Sequence, residues 1–220
     1  MPANGRTALL AGGAGYVGSV LTRRMLAEGW RVRVLDSLLY GNGASLAGVY
    51  ELDGFTFLRG DIRSGEDVES ALEGVTDVVL LASLVGDPVC KGNPELARAV
   101  NLEGARNVLA RSAERDVERF VFASTCSNYG LREDGTPATE TDELHPLSLY
   151  AETKVEMERE ILSEDRGLTP TVLRVSTAYG MSPRMRFDLT VSEFTRELAL
   201  GRELDVYDAE PAVPPALLDA

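Results

Sequence analysis

Two side chains one helical turn apart carry the strongest chemical signal in the chain. Tyr150 and Lys154 bracket the stretch Tyr150-Ala151-Glu152-Thr153-Lys154. On a helix, positions i and i+4 share one face, so the phenol and the ammonium would point the same way. A free tyrosine titrates at about 10, and a neighbouring ammonium favours its phenolate. A phenolate can take a proton from a substrate hydroxyl. The chain uses arginine almost wherever it needs a cation; Lys91 and Lys154 are its only lysines. One of those two falls in this spacing. A run of hydroxyl and amide residues, Ser124-Thr125-Cys126-Ser127-Asn128, lies upstream of the pair. Thr125 is the best placed of these to hydrogen-bond a reacting oxygen.

A second constellation lies near the start. Gly12-Gly13-Ala14-Gly15-Tyr16-Val17-Gly18 sets glycines at 12, 15 and 18 between an apolar run and a helical pattern. Glycine permits the tight turn and lets the backbone approach a pyrophosphate. The helix that opens at Tyr16 and Val17 would offer free N–H groups and its positive dipole end. Asp36 closes the next strand pattern at the expected distance of about 20 residues. Its carboxylate can accept from both adenine-ribose hydroxyls and would repel a 2′-phosphate, which favours NAD over NADP, although Arg31 and Arg33 lie nearby. Asp61 and Ile62 after a third strand, and Leu81, Ala82 and Ser83 at the end of a fourth, belong to the same edge and complete the expected cofactor site.

Behind these residues, strand and helix patterns alternate. Strands are expected over residues 7–12, Arg31–Asp36, 55–58, 77–83, 119–124 and 171–176. Helices are expected over 16–28, 66–73, 94–115, 148–163 and 191–200. Residues 77–83 form a continuous apolar run, as a strand buried on both faces requires. Repeated βα alternation implies an α/β fold, a Rossmann-like doubly wound parallel sheet flanked by helices. Residues 131–144 are polar and read as a surface loop. After residue 208 three prolines fall within five residues and break any regular element.

Bulk composition narrows the function classes. With 220 residues the chain can bury one sizeable core. A net charge of −13 opposes binding to nucleic acid and to anionic membranes. No run of about 18 apolar residues suggests a membrane span, and the first residues do not read as a signal peptide. Two cysteines, Cys90 and Cys126, form no disulfide framework and no metal set, so a cytoplasmic setting is expected. The helical acids Glu66, Asp67, Glu69, Glu73, Glu156, Glu158 and Glu160 read as solvated faces. His145, the only histidine, reads as structural.

Taken together, these stretches resemble the extended short-chain dehydrogenase/reductase family, in its NAD-dependent nucleotide-sugar epimerase/dehydratase branch. The resemblance rests on GGAGYVGS, Asp36, GDI at 60–62, VNLEGARNVL around Asn101, STCSNYG, HPLSLYAETK and LRVSTAYG, and covers roughly residues 7–207. It implies Thr125, Tyr150 and Lys154 as the catalytic triad, with Asn101 supporting the site from its helix. It assigns Ser124 and Val175 to the cofactor side, and Ser127, Asn128 and Thr177 to the substrate side; apart from the resemblance, Arg184 in SPRMRFDL is a candidate to meet a substrate phosphate. It implies a nucleotide-diphosphate sugar oxidised at C4 to a transient ketone, and a homodimer through a four-helix interface. The family's 4,6-dehydratases carry an Asp-Glu pair directly after the triad threonine. Cys126 and Ser127 stand there instead, which disfavours expulsion of water and leaves epimerisation or ketone/alcohol redox. Family members usually run further, so residues 1–180 are expected to form the NAD-binding domain and 181–220 a much reduced substrate-binding region. Three readings follow: an epimerase, a sugar-nucleotide ketoreductase or dehydrogenase, and an NAD-binding chain lacking independent activity.

Overall fold

The computed structural model describes residues 5–131 and 136–204. They fall into two compact units, one ending at Met185 and one beginning at Arg186. In the first unit, β1 (Thr7–Ala11), β2 (Arg31–Asp36), β3 (Phe55–Arg59), β4 (Asp77–Leu80), β5 (Arg119–Thr125) and β6 (Thr169–Val175) form one sheet. Its order is β3-β2-β1-β4-β5-β6, and all five pairings are parallel. This is the expected doubly wound sheet. Its order reverses between β1 and β4, which places a ligand crevice at the carboxyl ends of those two strands.

Alternation along the central strands divides the core into two layers. Leu9 and Ala11 of β1 pack with Val78, Leu80, Phe120 and Phe122. That layer is closed by α2 (Gly65–Leu72), α5 (Ala105–Ala113) and α6 (Leu149–Ser163), through Val68, Leu109, Met157 and Ile161. Leu10 faces the other way and packs with Val32, Val34, Leu21 and Met25, under α1 (Tyr16–Ala27). Strand β6 lies at an edge and alternates between partly buried and exposed residues.

Three local expectations need correction. Strand β4 ends at Leu80 rather than residue 83, because the N–H groups of Leu81 and Ala82 both turn to the carbonyl of Ala11. The helix expected over 94–115 is interrupted. It runs as α4 (Pro94–Arg98), a π-turn over Ala99–Gly104, then α5. A short helix, α3 (Asp87–Gly92), precedes it unforeseen. Of the polar stretch 131–144, the described residues contain no helix or strand.

The second unit's described residues contain α7 (Thr190–Ala199), with the Arg196 guanidinium 5.0 Å from the Phe187 ring centroid. The proline-rich tail lies outside the described residues. Among the described residues no helix is long and apolar enough to cross a membrane, and no cluster of three or more acidic, cysteine or histidine side chains could hold a metal.

Candidate active site

The glycine-rich turn joins β1 to α1 at the switch point. Gly12 has φ +89°, and a Cβ there would lie 2.6 Å from the backbone nitrogen of Ala82. A Cβ on Gly18 would lie 2.3 Å from the carbonyl oxygen of Gly12. Only hydrogen atoms at these positions let turn, helix and β4 close on one another. No side chain caps the amino end of α1, and its first turn carries no acid. The open N–H groups of its first turn, at Tyr16, Val17 and Gly18, therefore suit an anionic group. Gly15 completes the turn, with its N–H on the Gly12 carbonyl.

Asp36 fastens this turn to the end of β2. Its Oδ2 accepts from the N–H of Ala14 at 3.0 Å and its Oδ1 from the N–H of Leu38 at 2.9 Å. Each carboxylate oxygen keeps a lone pair for a further donor. Asp61 follows β3 and pairs with Arg63, whose guanidinium holds the Asp61 carboxyl below its ordinary value. Ile62 is buried beside it. Asn101, 2 % exposed on the π-turn, accepts from the Leu84 N–H at 2.8 Å and the Ser83 hydroxyl at 2.9 Å. Its amide nitrogen donates back to the Leu84 carbonyl at 3.0 Å. Asn101 thus fixes the chain leaving β4.

The second half of the site is built on β5 and α6. Ser148 caps α6 by accepting from the Ala151 N–H, and Tyr150 lies in the first turn. The His145 N–H donates to the Asn128 carbonyl at 2.9 Å, which brings the segment before α6 back to the turn after β5. Lys154 is 3 % exposed; its ammonium lies 5.7 Å from the Tyr150 ring centroid and 4.6 Å from that of Phe122. It donates to the Ala123 carbonyl at 2.8 Å. Burial pulls its pKa down to about 8, against the opposing charge effects of Cys90 and Glu158. Thr125 ends β5; its Oγ1 accepts from the Ser127 N–H and donates to the Ser127 hydroxyl.

The remaining expected residues are dispersed. Val175 ends β6 beside Thr125 in register, and Thr177 is exposed just beyond it. Arg184 stacks on Tyr40, 4.9 Å from its ring centroid. Tyr40 follows β2, and β1 and β4 intervene between β2 and β5, so Arg184 does not join the Thr125 end. Ser124 and Asn128 are buried, and both bind the carboxylate of Glu158.

Glu158 overturns one expectation outright. It is 1 % exposed and not part of a solvated face. Its Oε2 receives a two-pronged contact from Arg174 of β6, at 2.9 and 2.8 Å. Its place four residues after Lys154 was the available signal, since Tyr150, Lys154 and Glu158 continue one helical row.

The fold and this arrangement define a class: a doubly wound α/β protein with a glycine-rich turn at its switch point and a Tyr/Lys pair on a neighbouring helix. A family model described as the NAD dependent epimerase/dehydratase family matches residues 8–211, and the chain belongs to that family. It is 34% identical over 184 residues to a UDP-glucose 4-epimerase of Halalkalibacterium halodurans, covering 81% of this chain and 52% of that protein. It is 30% identical over 190 residues to a 3-beta-hydroxysteroid dehydrogenase of Mycolicibacterium neoaurum, covering 81% and 49%. The crystal structure of Thermus thermophilus UDP-glucose 4-epimerase in complex with NAD superposes with a TM-score of 0.77 at 32% identity, over 90% of this chain and 64% of that one. The chain thus spans about half to two thirds of the length of these relatives.

Proposed function

We propose that the chain is an NAD-dependent epimerase acting on a nucleotide-diphosphate sugar through transient oxidation at C4. The observation that carries this reading is the hydrogen bond from the Lys154 ammonium to the Ala123 carbonyl, two residues before Thr125, at the carboxyl end of β5 and on the sheet edge that holds the glycine-rich turn. The uncapped start of α1 and the glycine contacts suit the pyrophosphate of NAD, and Asp36 suits its adenine ribose. Gly12, Gly15, Tyr16, Val17 and Gly18 would hold the phosphates. Asp61, Ile62 and residues 81–83 would line the adenine side, while Ser124, Asn101 and Val175 would back the nicotinamide end.

Bound NAD would supply the hydride chemistry, as acceptor from the sugar carbon and then donor to it. The protein's part is proton transfer and orientation. Tyr150 takes the proton of the C4 hydroxyl, and Lys154 favours the phenolate by its charge. Thr125 hydrogen-bonds the same oxygen. Ser127 and Thr177 are exposed at the substrate side. Cys126 and Ser127 supply no acid/base pair for loss of water, so the sugar keeps its hydroxyl groups.

Incubation of the purified chain with UDP- and dTDP-sugars, read by NMR, tests this reading. Interconversion of C4 epimers without accumulation of NADH is the expected result. The match to a 3-beta-hydroxysteroid dehydrogenase supports a second reading, a ketoreductase or dehydrogenase, in which NADH changes in proportion to substrate. Tight NAD binding without turnover of any sugar would favour a cofactor-binding chain lacking independent activity. A homodimer through the faces of α4, α5 and α6, and a cytoplasmic setting, complete the proposal.

A further inference from the structure

Glu158 accepts four hydrogen bonds from three different elements, yet nothing in the acid–base chemistry of the proposed reaction uses it. Its Oε1 accepts from the Ser124 hydroxyl on β5 and from the Asn128 amide at 2.6 Å in the turn that follows. Its Oε2 accepts from Nε and Nη2 of Arg174 on β6. Arg174 in turn donates through Nη1 to the Tyr129 hydroxyl at 3.0 Å and the Glu140 carbonyl at 3.1 Å. The Asn128 amide also donates to Ser124 at 3.0 Å. A buried carboxylate is costly to desolvate, and it persists where such donors compensate it.

The placement of these anchors matters more than their number. Ser124 and Asn128 flank Thr125, one residue before it and three after. Both are tied to α6 through a carboxylate four residues beyond Lys154. The ammonium of Lys154 is itself fixed to β5 by the Ala123 carbonyl. The end of β5 is thus held to α6 at Ala123, Ser124 and Asn128, and Thr125 lies inside that span.

We infer that Glu158, braced by Arg174, is a positioning residue that sets Thr125 against the Tyr150/Lys154 helix and places a carboxylate one helical turn beyond the Lys154 ammonium. This rests on the epimerase reading for its kinetic consequence, but not for its electrostatic one. The groups facing Lys154 are Cys90 from α3, Tyr150 and Glu158 from its own helix, and the Ala123 carbonyl and Phe122 ring from β5. Arg174 faces Glu158 from β6. Cys90 and, after it, Glu158 oppose the effect of burial on Lys154, and Glu158 is the one braced by Arg174.

Glu158→Gln is the test, in the full chain with NAD. It keeps the side-chain shape and removes the charge. The expected result is a folded protein by circular dichroism whose kcat falls about a hundredfold with little change in KM, as for a misplaced reacting group. Glu158→Asp should recover part of that rate. With only two lysines in the chain, ¹³C-lysine NMR resolves Lys154 from Lys91. Lys154 should titrate on the order of one pH unit lower in Glu158→Gln, and Lys91 should not move. A kcat within twofold of the wild type, or a Lys154 titration unchanged from it, overturns the inference. Should Glu158→Gln not fold, Ser124→Ala decides. That variant keeps the charge and loses one anchor, so kcat should fall about tenfold while Lys154 titrates as in the wild type; an unchanged kcat overturns the inference. Failure of the wild-type chain to turn over any sugar defeats the epimerase reading alone. The lysine titration then still decides the role of Glu158.

Discussion

A lysine ammonium that is 3 % exposed loses most of its hydration, and the carbonyl of Ala123 with the ring of Phe122 replaces only part of it. That is why the Lys154 pKa lies near 8 instead of its ordinary 10.5. The sign of the consequence follows from proton counting. Between these values the unfolded chain keeps the proton and the native chain has released it, so stability rises with pH across that window. Below it both states are protonated and the native fold carries the cost in full, on the order of 3 kcal/mol. Lys154→Met should therefore abolish turnover yet make the chain more stable to urea at pH 7. The wild type should recover most of that difference by about pH 10. Urea titrations of both proteins at the two pH values check this, and equal stabilities throughout would show that the ammonium is not strained by burial. Asp36→Ala should weaken NAD binding about tenfold or more, by loss of carboxylate-assisted hydrogen bonds, and should narrow the gap between NAD and NADP. Isothermal titration with each dinucleotide reads both effects.

At the scale of elements, the site depends on two joints. The first is the turn between β1 and α1. Gly18→Ala would push a methyl group into the Gly12 carbonyl and the Gly13 backbone. The expected cost is about 1–3 kcal/mol of stability, as for overpacking, with weaker NAD binding because the turn must move off the helix. Thermal melts with and without NAD separate the two. The second joint is the start of α6. Ser148→Ala removes the only side-chain cap of that helix, at about 1 kcal/mol, and frays the turn that carries Tyr150. A fall in kcat with NAD affinity intact is the expected signature.

Both joints were readable in the chain because each is local. A glycine-rich turn between a strand and a helix, and a Tyr/Lys pair at i and i+4, declare their geometry within a few residues. The role of Asn101 was not readable in the same way. Its partners at Ser83 and Leu84 lie 18 and 17 residues away, and the π-turn that aims it has no sequence signature. The short α3 was missed for a related reason. Six residues bounded by Gly86 and Asn93 give too little periodicity to distinguish helix from loop.

The whole molecule carries a net charge of −13, and the helices proposed to pair present charged side chains such as Glu152 and Glu156. Arg106 of α5 already bridges Glu103, Glu156 and Glu160 within the chain, and Arg98 lies 3.9 Å from Glu152. Val89 and Leu162 aside, α3 to α6 expose no large apolar side chain among the described residues. A homodimer through these helices would therefore be held by charge pairs rather than by an apolar seam. It should dissociate as salt rises from about 0.05 to 0.5 M, where the Debye length shortens severalfold. Sedimentation velocity across that range tests it, and a salt-insensitive dimer would point to another surface.

The order of strands and helices, the switch-point turn, the acid closing β2 and the Tyr150/Lys154 pair are all legible in the residues alone. Each follows from hydrophobic period, glycine chemistry or helical spacing, which act over a few residues. Which charges are solvated depends instead on the packed chain. Glu156 and Glu158 are two residues apart on one helix; the first is exposed and the second is 1 % exposed. The difference arises because β5 and β6 bring Ser124, Asn128 and Arg174 to the buried side. Helical spacing puts Glu158 in the Lys154 row, but no local pattern records what it meets there, since its partners lie 16 to 34 residues away. Burial of a charge depends on what the rest of the chain places opposite it.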